Sequence, residues 1–168
     1  ISHLHSYGIA HRDLKFENVC FVSTDPFQNW FDLRVIDLGM AHSEIHEKNS
    51  EITSRAGTFQ WMPPEQIFRE KHKATVVDIW AIGIMLFALI EKSYPFYAKS
   101  LEELAENIRT VDLKKKMFST SPDVQSVVLM HLERDNEKRP TAAESVKLFD
   151  GLLQTRKVNI NFNANRLG

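Results

Sequence analysis

From Val76 to Glu91 apolar residues fall on nearly every side of a helical wheel, which predicts a helix buried all round at the centre of a domain. One charged residue, Asp78, interrupts it. A carboxylate buried there needs donors, so it is expected to grip backbone N–H groups of a neighbouring loop. The other reading is an Asp near the helix start that serves only as a cap.

Other rhythms surround this helix. Ile1 to Tyr7 has the pattern of the last turns of a helix, with Gly8 where a left-handed cap is wanted. Val19 to Val22 and Leu33 to Ile36 are short β-type runs. Together they predict a hairpin with a long connection, Ser23 to Asp32, whose Phe27, Trp30 and Phe31 are expected to pack back onto the surface. Met40 to Gly57 is polar without a sustained period and reads as a mobile loop. Pro63 and Pro64 end it and suit the first turn of a new helix. Ser100 to Thr110 is amphipathic, with Ser100 as N-cap and Glu103 three residues on. Asp123 to Leu132 and Thr141 to Leu152 are two further helices. In Leu153 to Gly168, apolar Val158, Ile160, Phe162 and Ala164 alternate with four Asn residues, a strand-like period of two. That tail reads as a strand for some sheet edge or as an Asn-rich end without fixed structure.

Composition narrows the function classes. The 168 residues suffice for one domain with a sizeable core. A net charge of −1 with no basic run argues against nucleic-acid and membrane attraction. The single Cys20 rules out an internal disulfide and fits a reducing, cytoplasmic or otherwise intracellular setting. The seven His residues lack the paired spacing of a zinc site. No signal peptide is visible, and the run Ile79 to Ile90 is too short to span a bilayer.

The chemistry lies near the start. His11-Arg12-Asp13-Leu14-Lys15-Phe16-Glu17-Asn18 reads H-R-D-L-x-x-x-N, the catalytic-loop signature of protein kinases. Asp37-Leu38-Gly39 is similar to D-F-G, and Pro63-Pro64-Glu65 to A-P-E. Asp78 to Gly83 resembles the start of the family's central helix, and Asp135 to Arg139 its late Asp/Arg motif. In order, these landmarks make residues 1–153 resemble the C-terminal lobe of a eukaryotic protein kinase, with 154–168 as a tail. The fold class expected is mainly α, a kinase-like C-terminal lobe with a short β-hairpin and no N-terminal lobe.

The resemblance implies roles. Asp13 would be the base that takes a substrate hydroxyl proton, and Asn18 and Asp37 would hold Mg²⁺ beside the phosphates of ATP. Lys15 would steady the transferred phosphoryl group and, with Thr58, favours serine/threonine transfer. Glu17 and Cys20 complete the nucleotide-side set. Glu17 could also meet a basic substrate residue, while Cys20 falls beneath the adenine ring or packs in the core. His11 and Leu38 would pack together, Glu65 and Arg139 would pair, and Asp78 would hold the catalytic loop. Arg12 implies control by phosphate on the loop before Glu65, with Ser54 the expected site, Thr53 the runner-up and Ser43 and Ser50 further hydroxyls. His42 is a possible second basic contact.

Some of the family's parts are not among these residues. There is no Gly-rich loop, no V-A-I-K lysine and no partner-helix Glu. The chain also begins without Met and in a helical pattern, so it reads as a piece of a longer protein, inactive alone and lacking the N-terminal lobe as its partner. Glu17 and the stretch from Ile84 to Phe96 resemble calmodulin-dependent kinases, whereas Trp61-Met62 looks like the tyrosine-kinase-like Ser/Thr enzymes. Two functions follow. One is transfer of the ATP γ-phosphoryl to protein Ser or Thr; the alternative is a non-catalytic, kinase-like interaction module.

Overall fold

The computed structural model describes residues 1–22, 33–45 and 51–164, with residues 156–164 as backbone only. Phe27, Trp30, Phe31 and Ser50, about which the sequence raised expectations, lie outside the described residues.

The helix α3, Thr75–Glu91, is the axis of the fold. Trp80 and Phe87 are fully buried, and Ile79 and Ile84 nearly so. Each such side chain contributes about 1.5–3 kcal/mol by leaving water. Around it pack α4 (Leu101–Thr110) and α5 (Pro122–His131), with Phe96, Leu104, Ile108, Val128 and Leu132 in one core cluster. The start of α4 is capped as its sequence implied: the Ser100 hydroxyl accepts from the Glu103 N–H, and Glu103 reaches back to the Lys99 N–H.

Small elements built at the N-terminal end of α3 carry the loops. The short helix α1, Ser2–Ser6, ends at Gly8 with φ +63°. It leads into β1, Ile9–Ala10, and then the H-R-D loop. Strands β2 (Val19–Phe21) and β3 (Leu33–Val35) form an antiparallel hairpin with Cys20 opposite Arg34. Helix α2 is Pro64–Phe68, and α6 begins at Ala142.

Three expectations need correction. The segment from Met40 to Gly57 is not a free loop at its described ends. His42–Ser43 (β4) pairs with β1, and Glu51–Ile52 (β5) pairs with His72–Lys73 (β6). Two-residue strands carry too little alternation to be read from sequence, and partners distant in the chain create them. The tail is neither strand nor shapeless through Ala164, because α6 runs Ala142–Ala164. A period of two cannot impose a strand where no neighbour offers a ladder. Finally, Cys20 is exposed and therefore not a core residue. Phe21, Leu33 and Val35 are exposed on the same hairpin.

Candidate functional site

The catalytic-type loop is hung from α3. Asp78, fully buried, accepts from the backbone N–H of His11 through Oδ2 and of Arg12 through Oδ1, each at 2.8 Å. His5 Nε2 donates to Oδ2 at 2.7 Å. Thus Asp78 caps nothing in its own helix, whose N-cap, Ala74, carries no side-chain bond. These bonds hold Arg12 at φ +66°, the turn that leads into half-buried Asp13. His11 is fully buried beneath it, with Nδ1 accepting from the Asp13 N–H at 3.3 Å and Nε2 donating to the Ile36 carbonyl at 3.0 Å.

Around Asp13 the side chains converge. Lys15 Nζ donates to Asp13 Oδ2 and to Thr58 Oγ1, each at 2.8 Å. The Thr58 N–H and hydroxyl both donate to Asp13 Oδ1, at 2.9 and 3.0 Å. Asn18 Nδ2 donates to the Asp13 carbonyl at 2.8 Å, and more loosely to Oδ2 at 3.3 Å. Partial burial alone would raise the Asp13 pKa, but the bonds from Lys15 and Thr58 and the Lys15 charge outweigh it and hold the carboxyl below its ordinary value. The same bond raises the pKa of Lys15. The result is a carboxylate kept ionised and aimed.

Gly57 is what lets Thr58 arrive there. It sits at φ +89°, and a Cβ would stand 2.5 Å from the Arg12 carbonyl oxygen and 3.3 Å from Asp13 Oδ1. Only glycine accepts both the dihedral and the contact. The segment is also tied from its other end. Arg55 donates to the Gln66 carbonyl at 3.3 Å and the Ile67 carbonyl at 2.7 Å, at the C-terminal end of α2. Arg55, Gly57 and Gln66 did not stand out in the sequence. Only the sign of a backbone angle and a long-range contact reveal them.

The remaining sequence candidates fall around this centre. Asp37 follows β3 at φ +64°, and its Oδ1 accepts from the Gly39 N–H at 3.1 Å. It is exposed, near enough to Lys15 to add to that amine's raised pKa, as does Glu17. Leu38 is 54% exposed, so it is not the buried packing piece that the resemblance implied. The His11 ring is already held by Asp13 and Ile36. Arg12 Nη2 donates to Ser54 Oγ at 2.9 Å, whereas Thr53 is exposed and makes no such bond. His42 lies in β4 with a buried Nε2 that has no partner among the described residues. Glu65 and Arg139 meet in the core, Nη1 to Oε1 at 2.6 Å.

For a divalent cation, Asn18 keeps its amide oxygen free of the Nδ2 bonds above, and Asp37 keeps its Oδ2. Two hard oxygen donors suit Mg²⁺, which takes its other ligands from phosphate and water. A self-contained metal cage is a different matter: among the described residues no group of three or more His, Cys, Asp or Glu could hold a metal. No helix among them is long and apolar enough to cross a membrane.

Comparison with known proteins agrees with this geometry. The model of the protein kinase domain matches residues 1–148. Calcium-dependent protein kinase 6 of Plasmodium berghei is 38% identical over 149 residues, covering 85% of this chain and 9% of that protein. Calcium/calmodulin-dependent protein kinase type I of Schizosaccharomyces pombe is 33% identical over 150 residues, covering 88% of this chain and 44% of that protein. The chain therefore spans less than half the length of these relatives. In fold it is similar to a chain of the yeast RNA polymerase II CTD kinase complex CTDK-1, with a TM-score of 0.71 at 23% identity, covering 85% of this chain and 55% of that one. The chain belongs to the protein kinase domain family.

Proposed function

We propose that the protein containing this chain transfers the γ-phosphoryl group of Mg·ATP to serine or threonine hydroxyls of protein substrates, and that residues 1–153 are the C-terminal lobe of its catalytic domain, followed by the tail 154–168. The observation that carries the reading is the Asp13–Lys15–Thr58 cluster, in which one carboxylate is held ionised by an amine and a threonine within 3.0 Å.

Asp13 orients the incoming hydroxyl and takes its proton as the oxygen attacks, which its lowered pKa permits at neutral pH. Lys15, already at Asp13 Oδ2, holds a positive charge where the transferred group gathers negative charge. Asn18 clamps the loop through the Asp13 carbonyl and, with Asp37, would hold the metal. Mg·ATP, when bound, supplies the phosphoryl group and neutralises its charge. Glu17 and Cys20 border the nucleotide side, and the N-terminal lobe that covers the phosphates would be supplied by residues outside this chain. Arg12, bonded to Ser54, receives a phosphate at that serine and orders the segment that brings Thr58 to Asp13.

The test is Asp13→Asn in the complete kinase. It should abolish transfer while nucleotide binding stays near wild type, because the base acts on the hydroxyl alone. Turnover at the wild-type rate would remove Asp13 from the reaction and leave the non-catalytic, kinase-like interaction module as the better reading.

A further inference from the structure

We propose that Gln66 and Arg12 hold one buried water molecule beneath the catalytic loop, and that through it Gln66 is a positioning residue for the Arg12 guanidinium. The effect on activity rests on the reading of Arg12 as the phosphate-facing arginine; the water site itself rests on geometry alone.

Gln66 is fully buried in α2. Its backbone is held at both ends, its N–H donating to the Pro63 carbonyl at 3.1 Å and its own carbonyl accepting from Arg55 at 3.3 Å and from the Arg69 N–H at 3.4 Å. Among the described residues its side chain is not held: both Oε1 and Nε2 are buried with no hydrogen-bond partner there. Arg12 shows the complementary lack. Its Nη2 donates to Ser54, yet its Nε is buried and has no partner among the described residues. Polar groups stranded in this way are strongly disfavoured unless something satisfies them.

Both residues line one void of about 10 Å³, together with Asp13, Thr58, Trp61 and Val77. That is about one probe sphere, the smallest space that admits a water. A water there accepts from Arg12 Nε–H and donates to Gln66 Oε1, and two of the stranded atoms are satisfied at once. If the amide is turned, the water accepts from Nε2–H instead, so either orientation works. Other ligands do not fit: the space is too small for anything larger, and a dry void is expected only where the walls are apolar.

The consequence lies in the direction of the guanidinium. The Arg12 backbone is fixed by Asp78, but its long side chain is free to turn unless both edges of the guanidinium are held. Ser54 holds one edge and the water the other. Gln66 thereby keeps Arg12 aimed at the hydroxyl that is to be modified.

The experiment uses the complete kinase, phosphorylated at Ser54. A crystal structure should show a water within about 2.7–3.2 Å of both Arg12 Nε and the Gln66 amide. Gln66→Leu and Gln66→Met should each lose it and lower the phosphate-dependent gain in kcat about tenfold, as expected for one bond to a charged group, with KM for ATP unchanged. Two variants are used because one of them could pack badly. Absence of the water from the wild type, or a direct protein bond to the amide, overturns the site. A water that is lost in both variants with the gain intact overturns the positioning role. Arg12→Ala that still responds to phosphate sinks the reading of Arg12, a result separate from whether the water is there.

Discussion

Arg139 and Glu65 meet fork to fork in the core, Nη1 to Oε1 at 2.6 Å and Nη2 to Oε2 at 2.8 Å, with side-chain exposures of 0% and 1%. Arg139 also gives its Nε to the Glu133 carbonyl at 2.7 Å and lies 4.8 Å over the Trp80 ring. The pair thus joins α2, and with it the end of the Asp37–Glu65 segment, to α3 and the approach to α6. Removing either partner strands a buried charge and should cost about 3–5 kcal/mol. The double variant Glu65→Gln, Arg139→Met should cost less than the sum of the two singles. Chemical denaturation of the four proteins checks this; additive, sub-kilocalorie effects would sink it.

Gly57→Ala separates stability from chemistry. The new methyl would overlap the Arg12 carbonyl at 2.5 Å in a backbone region that alanine avoids. The segment must retreat from Asp13, taking Thr58 with it. Transfer should fall by at least about a hundredfold, a displacement of about 1 Å from productive geometry, while global stability falls by only about 1–3 kcal/mol. Near-wild-type turnover in the variant would show that Thr58 need not approach Asp13.

What could be read from the sequence had strong local or compositional reasons. The apolar run of α3 predicted burial, which holds for Val77, Ile79 to Ala81, Ile84 and Phe87 but not all round, since Leu89 is exposed. The carboxylate inside the run demanded donors, which are the His11 and Arg12 amides and His5. Ser100 and Glu103 marked their helix start by capping chemistry. The pairing of β4 and β5 had no such local sign, because each owes its conformation to a strand at least 20 residues away, β1 or β6. Gln66 follows Glu65 at the start of a short helix, where a polar residue has no local sign of burial. Cys20 and Leu38 sit on surface whose exposure depends on what else packs there, which no local pattern carries.

His131 gives a pH signature. It is fully buried between Val127 and Ser145, and burial holds its pKa below the ordinary value of 6.5. In the unfolded chain it binds a proton more readily than in the folded one. Its contribution is therefore present above about pH 6.5 and is lost as pH falls toward and through the depressed folded value. Thermal unfolding from pH 7.5 to pH 5 should show a declining Tm, and His131→Gln should flatten that decline. An unchanged slope in the variant would assign the acid sensitivity elsewhere.

The Asp13 carboxyl makes a second pH prediction. Burial works against ionisation, and the bonds from Lys15 and Thr58 overcome it. The acid limb of kcat/KM in the complete kinase should accordingly lie below the ordinary carboxylate range, and Lys15→Met should move it upward besides lowering kcat. An acid limb that stays in place when Lys15 is removed would mean that another group titrates.

The last prediction concerns switching. Arg12 Nη2 already donates to Ser54 Oγ at 2.9 Å, so a phosphate on that oxygen would form within reach of the guanidinium. It would bring about 1.5–2 negative charges at neutral pH, and a guanidinium meets phosphate with paired, charge-assisted bonds. Burial has lowered the Arg12 pKa, an effect that the nearby Asp78 charge only partly offsets, so an added anion meets a cation short of counter-charge. Arg55, the next residue, is fastened to α2, and Thr58 is fastened to Asp13 of the catalytic loop, with Gly57 close against the Arg12 carbonyl. Ordering Ser54 therefore tightens the one stretch that joins those anchors. Phosphorylation of the complete kinase at Ser54 should raise kcat about tenfold or more, as one to three charge-assisted bonds allow. Ser54→Ala should abolish that gain, Arg12→Ala should blunt it, and Thr53→Ala should leave it, since Thr53 makes no bond to Arg12. The measurement is activity of each variant before and after phosphatase. If phosphatase leaves the wild type fully active, or if Arg12→Ala responds as the wild type does, Ser54 is not the switch.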